Sequence, residues 1–111
     1  SLSDEELRKD CYALSSEIED FRHTYSRRYS DVEYSAKISP AEKADAFITI
    51  ENELSKNFRS RFESDVFRAK LELNRRLRMA PPQPFSKSGN LSDTTIMFAS
   101  DDVKRLAAQL P

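Results

Sequence analysis

The scarcity of helix breakers constrains this chain more than any other feature. Its 111 residues hold one glycine, and the five prolines fall at position 40, in the 81–84 cluster and at the last residue. Residues 1–39 and 41–80 contain neither Pro nor Gly. Spans of that length without punctuation favour long helices, and a chain of this size favours one domain. With 38% hydrophobic and 33% charged residues, the chain can fold around a core rather than remain disordered.

Both long spans carry start signals. In Leu2-Ser3-Asp4-Glu5-Glu6-Leu7, Ser3 can cap the Glu6 amide while the Glu6 side chain answers the Ser3 amide, with Leu2 and Leu7 at the staple positions. Leu7, Cys11, Leu14, Ile18, Phe21 and Tyr25 then alternate steps of four and three, a heptad seam. The next seam position is Arg28, so the seam shifts there to Tyr29 and Val32. Ser39-Pro40-Ala41-Glu42 repeats the cap, with Pro at the first helical position. Phe47, Ile50, Leu54, Phe58, Phe62, Val66, Ala69, Leu73 and Leu77 follow with a mean step near 3.75, above the heptad period, so this stripe should drift.

A connection as short as Lys37 to Ser39 folds the helices back antiparallel. Pairing Cys11 with Val66, Leu14 with Phe62, Ile18 with Phe58, Phe21 with Leu54, Tyr25 with Ile50 and Tyr29 with Phe47 keeps the position sums at 75–77, as an antiparallel register requires. Charge agrees: residues 1–20 carry seven acidic and two basic groups, and residues 56–80 carry three acidic and eight basic groups. Such complementarity sets orientation more than stability.

The tail starts as a Pro-rich linker. TTIMF at 94–98 reads as a β-favouring run without a partner strand, and Ser100 as the cap of a last helix bearing Val103, Leu106, Ala107 and Leu110 on one face. A second apolar set at Phe67 and Leu71 offers that tail a docking place. The expected architecture is all-α: one domain over 1–111, helix 1 about 3–36, helix 2 about 40–80, linker 81–99 and helix 3 about 101–110. The last helix packs on the open end of a long, coiled-coil-like hairpin, because two helices alone bury too little surface.

Chemistry-bearing constellations are sparse. His23 is the only histidine and points away from the seam, and Cys11 lies on the seam as a structural thiol. There is no Gly-rich phosphate loop or triad-like set, and a hairpin promises no deep pocket. No enzyme activity, metal, cofactor or small-molecule substrate is therefore expected. Arg27-Arg28-Tyr29-Ser30 matches a basophilic kinase consensus, where a phosphate would add negative charge beside Asp31. The basic run ending Arg75-Arg76-Leu77-Arg78 suits either phosphate contacts or pairing with the acidic first helix. A net charge of −1 favours the pairing and gives no general pull toward nucleic acid. A nucleic-acid or anionic-surface binder using Arg59, Arg68, Arg75, Arg76 and Arg78 stays as the alternative.

The order SDEELRKD, then NFRSRF to LELNRRL, then a Pro-rich link and a closing SDDVKRLAAQLP resembles the soluble cytoplasmic helical tails of small, poorly characterised bacterial membrane proteins. The resemblance implies a cytosolic interaction domain, tethered to a membrane upstream of Ser1, with no catalytic residues to carry over. The chain begins with Ser rather than Met, as expected of a processed product or a piece of a longer chain, and shows neither a signal peptide nor an apolar run able to span a bilayer. The expected function is a non-enzymatic interaction or structural module that binds a protein partner or a second copy. Its expected interaction surface comprises Phe67, Leu71, Arg75, Arg76, Arg78, Val103, Leu106 and Leu110.

Overall fold

A computed structural model of the chain describes all 111 residues. It is all-α: α1 (Asp4–Glu33), α2 (Pro40–Phe58), a π-helical turn (Arg59–Glu63), α3 (Ser64–Arg76) and α4 (Asp93–Ala108). Both expected capping boxes form, Ser3 with Glu6 and Ser39 with Glu42. α1 ends at Glu33, somewhat before the expected 36, and the turn occupies 34–39.

The second helical span is not one uniform helix. From Ile50 to Val66 its stripe takes four consecutive steps of four residues. Each step overshoots a 3.6-residue turn by about 40°, so a plain α-helix would carry the stripe roughly 160° around its axis. The π-helical turn, whose hydrogen bonds span one residue more, absorbs much of this drift. Phe58, Phe62 and Val66 consequently all stay buried.

α3 stops at Arg76, before the prolines are reached. The Arg78 amide donates to the Arg75 carbonyl (3.2 Å) and the Met79 amide to the Asn74 carbonyl (2.8 Å), a Schellman closure. Its left-handed position, φ 57°, is filled by Arg78 rather than glycine. Arg78→Gly should therefore raise stability by about 1 kcal/mol. In a thermal melt the change should appear as a Tm increase of roughly 4 °C; an unchanged or lower Tm contradicts this account of the helix end.

The tail departs most from expectation. Helix 3 runs from Asp93, not 101, and TTIMF lies inside it. Ser92 is the cap, its Oγ accepting from the Thr95 amide (3.1 Å), whereas Ser100 is a buried mid-helix residue. The β-branched residues yield to tertiary burial, because Ile96, Ala99, Val103, Leu106 and Ala107 form one helical stripe inside the core, with Leu110 buried just past the helix end.

α4 packs mainly on α1 and α3, while α1 and α3 scarcely approach one another. It is wedged into the open end of the hairpin rather than laid across it. The wedge corrects the pairing register. Tyr29 stacks on Phe47 as expected (ring centroids 4.1 Å apart, planes at 17°), but Phe62 also meets Phe21 edge-on at 5.3 Å, a pair outside the constant-sum register. A constant pairing sum cannot hold where a third helix separates the other two. The expected docking place also fails: Leu71 is 43% exposed and Phe67 only half-buried.

Small residues permit the α1–α4 contact. Ser15 and Ser100 are both buried, with their Oγ atoms 2.9 Å apart and each hydroxyl also reaching the other's backbone carbonyl. Arg22 clamps one end of α4, donating from Nε (3.0 Å) and Nη2 (2.8 Å) to the Asp93 carboxylate. Arg8 holds the other end, donating to the carbonyls of Leu110 (2.8 Å) and Pro111 (3.2 Å), where a helix presents its negative pole. α4 thus runs antiparallel to α1. The linker returns alongside the second helical span: Asn74 donates to the Ala80 carbonyl, Phe85 packs edge-on to Phe58, Arg59 holds the carbonyls of Ser86 and Gly89, and Ser55 Oγ accepts from the Leu91 amide.

Candidate functional site

α4 covers α1 only from Arg8 to Arg22. Beyond Tyr25 the hairpin continues as two helices without a third. There, an open trough of about 600 Å³ lies between α1 and α2, lined also by Asn90, Leu91, Ser92 and Asp93 at the entry to α4. Tyr25, Tyr29, Ile50, Leu54 and Leu91 form its apolar surface, and Ser26, Ser30, Glu33, Glu51, Asn90, Ser92 and Asp93 add polar groups. The earlier expectation of no pocket reflected a plain hairpin; wedging α4 into one half makes a concavity of the other.

The trough has a rigid floor and a polar rim. Ile50 and Leu54 are buried, and Tyr25 is fixed by Phe21 beside it and by Asn57, which donates to its hydroxyl. Tyr29 remains 37% exposed at the wall. Asp93 is engaged by Arg22, but Glu33 and Glu51 form no ion pair and no cationic side chain lines the trough. Ser30, the residue in the kinase-like match, is exposed at this rim. A smaller concavity of about 340 Å³ on the other side of the hairpin holds Arg28 with Asp31 and has no comparable charge bias.

Arg28, the residue that interrupts the heptad, does not enter the core. Its side chain stays 43% exposed, bonds Glu53 at 2.6 Å and lies 5.4 Å from the Tyr25 ring centroid. The seam shifts past it as expected, Tyr29 stacking on Phe47 and Val32 packing partly buried against the core.

The expected interaction surface is not brought together. Val103, Leu106 and Leu110 are core residues that hold α4 in place and present no surface to a partner. Arg75 is tied to Glu72, while Arg76 bridges Glu72, Asp4 and the Leu2 carbonyl. The two guanidinium groups hold the Glu72 carboxyl at about 2, Arg75 contributing most. Arg59 and Arg68 likewise serve carboxylates of their own span, Glu63 and Asp65, so the basic run is compensated largely by neighbours rather than by α1. Arg78 is exposed at the helix end. Phe67 and Leu71 sit on α3, away from the trough.

His23 is exposed on α1, and no cluster of His, Cys, Asp and Glu side chains is arranged to hold a metal ion. Cys11 is buried against α4, and burial pushes its thiol up to about 11. No helix is long and apolar enough to cross a membrane. Compared with protein-family models, curated proteins and solved structures, the chain matches none.

Sequence reasoning missed Ser26, Glu33, Glu51 and Asn90 as rim residues. A length argument could have found the region. α1 with 30 residues extends roughly 45 Å, while the 16 residues of α4 extend roughly 24 Å, so part of the hairpin had to remain uncovered.

Proposed function

We propose that this protein is a non-enzymatic interaction module whose trough receives a helical segment of a partner. The observation that supports the reading is continuity along α1: α4 packs between α1 and α3, and the trough opens between α1 and α2 just beyond the start of α4. An amphipathic helix in a hydrophobic groove is a recurrent recognition mode, and buried Ile50 and Leu54 give it a preformed floor. The motif-order resemblance supports a cytosolic setting and a membrane tether joined upstream of Ser1. The alternative, phosphate binding through the basic half of the second helical span, is less favoured because Arg59, Arg68, Arg75 and Arg76 are each engaged with carboxylates.

An uncharged amphipathic peptide of about 14 residues, with a Leu/Ile stripe and Gln flanks, tests this reading by amide chemical shifts. Perturbations should concentrate at Ser26, Ser30, Glu51 and Asn90. Their absence at millimolar peptide, or their spread over α3 instead, overturns the assignment.

A further inference from the structure

We infer that the trough selects a basic partner: an amphipathic helix that lays its apolar stripe on Tyr25, Ile50, Leu54 and Leu91 and directs lysine or arginine side chains at Glu33 and Glu51. This inference rests on the reading of the trough as a helix-binding site and adds the chemistry of its occupant. It is carried by the charge of the rim. Three carboxylates and no cation line the trough; Asp93 is paired with Arg22, whereas Glu33 and Glu51 form no ion pair, Lys43 Nζ donating to the Glu33 carbonyl (2.7 Å) rather than to its carboxylate. The intramolecular helix shows what a satisfied seat looks like. Where α4 lies, Arg22 of α1 meets Asp93 and Lys70 of α3 meets Asp102, so each of these contacts matches opposite charges. Beyond α4, Glu33 and Glu51 on the trough rim have no such ion pair.

The same charges argue against a second copy of this chain as the occupant. A two-fold contact through the trough would set Glu33 and Glu51 of one copy against the same residues of the other, and like charges across an interface are costly. A nucleic acid or anionic lipid surface is repelled for the same reason. A cationic helix instead gains attraction on approach as well as at rest, so the charge acts on association rate and on partner choice. Ser30 lies on the same rim, so added negative charge at that hydroxyl would strengthen the preference rather than reverse it.

Three peptides with one apolar stripe and with Lys, Gln or Glu flanks separate the outcomes in titrations against the full chain and its Glu33→Gln/Glu51→Gln variant. Both glutamates are outside the core, so the variant should keep the wild-type circular dichroism spectrum and melt. The Lys peptide should bind the wild type about tenfold tighter than the Gln peptide at low ionic strength, with the Glu peptide weakest. That order should collapse in the variant while the Gln peptide's affinity stays unchanged, and added salt should shrink it in the wild type. If Lys and Gln peptides bind the wild type equally, the basic-partner inference fails while the trough remains a helix site. If no peptide perturbs the trough, both readings fail. A concentration-dependent dimer mass that the Lys peptide cannot disperse assigns the trough to a second copy and overturns the inference.

Discussion

A chain ending at Ser92 should show no cooperative thermal transition. Removing α4 withdraws Ile96, Val103, Leu106 and Leu110 from the core and uncovers Cys11, Ser15 and Ile18 on α1. Burial of a Val, Leu or Ile side chain contributes about 1.5–3 kcal/mol, so these four alone account for roughly 6–12 kcal/mol. That range rivals the whole stability of a domain, about 5–15 kcal/mol. The Ser15 hydroxyl also loses both its Ser100 partners. Far-UV circular dichroism against temperature gives the direct readout, and the single thiol gives a second. In the intact chain Cys11 is buried and its ionisation is pushed to about 11, so a thiolate-directed reagent at pH 8 should react slowly. In the truncated chain it should react at the rate of a free thiol, and a peptide spanning 92–111 added in trans should restore protection. A truncated chain that melts cooperatively near the wild-type temperature would show that the hairpin stands without its wedge.

Phe58→Ala should cost about 3–5 kcal/mol, the usual range for deleting a fully buried aromatic ring. Phe58 has no exposed surface and is the last residue of α2 before the π-helical turn. Its ring packs with Phe62 (centroids 6.0 Å apart) and holds Phe85 of the returning linker (5.7 Å, planes at 82°). The variant therefore loosens three things together: the stripe through the π-helical turn, the linker and the entry to α4. A denaturant midpoint measured beside Tyr34→Ala checks this, since Tyr34 is 81% exposed and its truncation should be close to neutral. A Phe58→Ala chain within 1 kcal/mol of wild type, by the rough scale of a surface substitution, would mean that the π-helical turn repacks without it.

Local chemistry carried much of the fold in plain view. Ser3 with Glu6 and Ser39 with Pro40 and Glu42 mark helix starts by hydrogen bonds that span only three residues, so nothing distant can overrule them. The apolar stripes are local too, and Tyr29 finds Phe47 as the hairpin register requires. What failed depended on the third helix. TTIMF has β-favouring residues, yet Ile96 is wholly buried in the core, a context that its immediate neighbours do not encode. Phe62 meets Phe21, a pair outside the expected register, where α4 packs between α1 and α3. The stripe's long step was visible in the residues, but only the structure shows the drift taken up at Arg59–Glu63. Arg28 signalled, without naming it, the place where core gives way to surface. The trough was hidden because its walls are seam residues, and a seam does not reveal which of its turns will go uncovered.

The grips of Arg8 and Arg76 have a mechanical consequence. Arg8 holds the carbonyls of Leu110 and Pro111, and Arg76 holds Asp4 and the Leu2 carbonyl, so both chain ends emerge from one end of a body 53 Å long. Tension applied between them would not stretch the long axis. It would peel α4 from α1 bond by bond, first at Arg8, then at the paired serines, and last at the Arg22 clasp. Peeling loads one contact at a time, so the wedge would come away at a force far below that needed to shear the same helices past each other. The trough, at the opposite half and bordered only by the Arg22–Asp93 clasp, would be the last part of the molecule to feel the load.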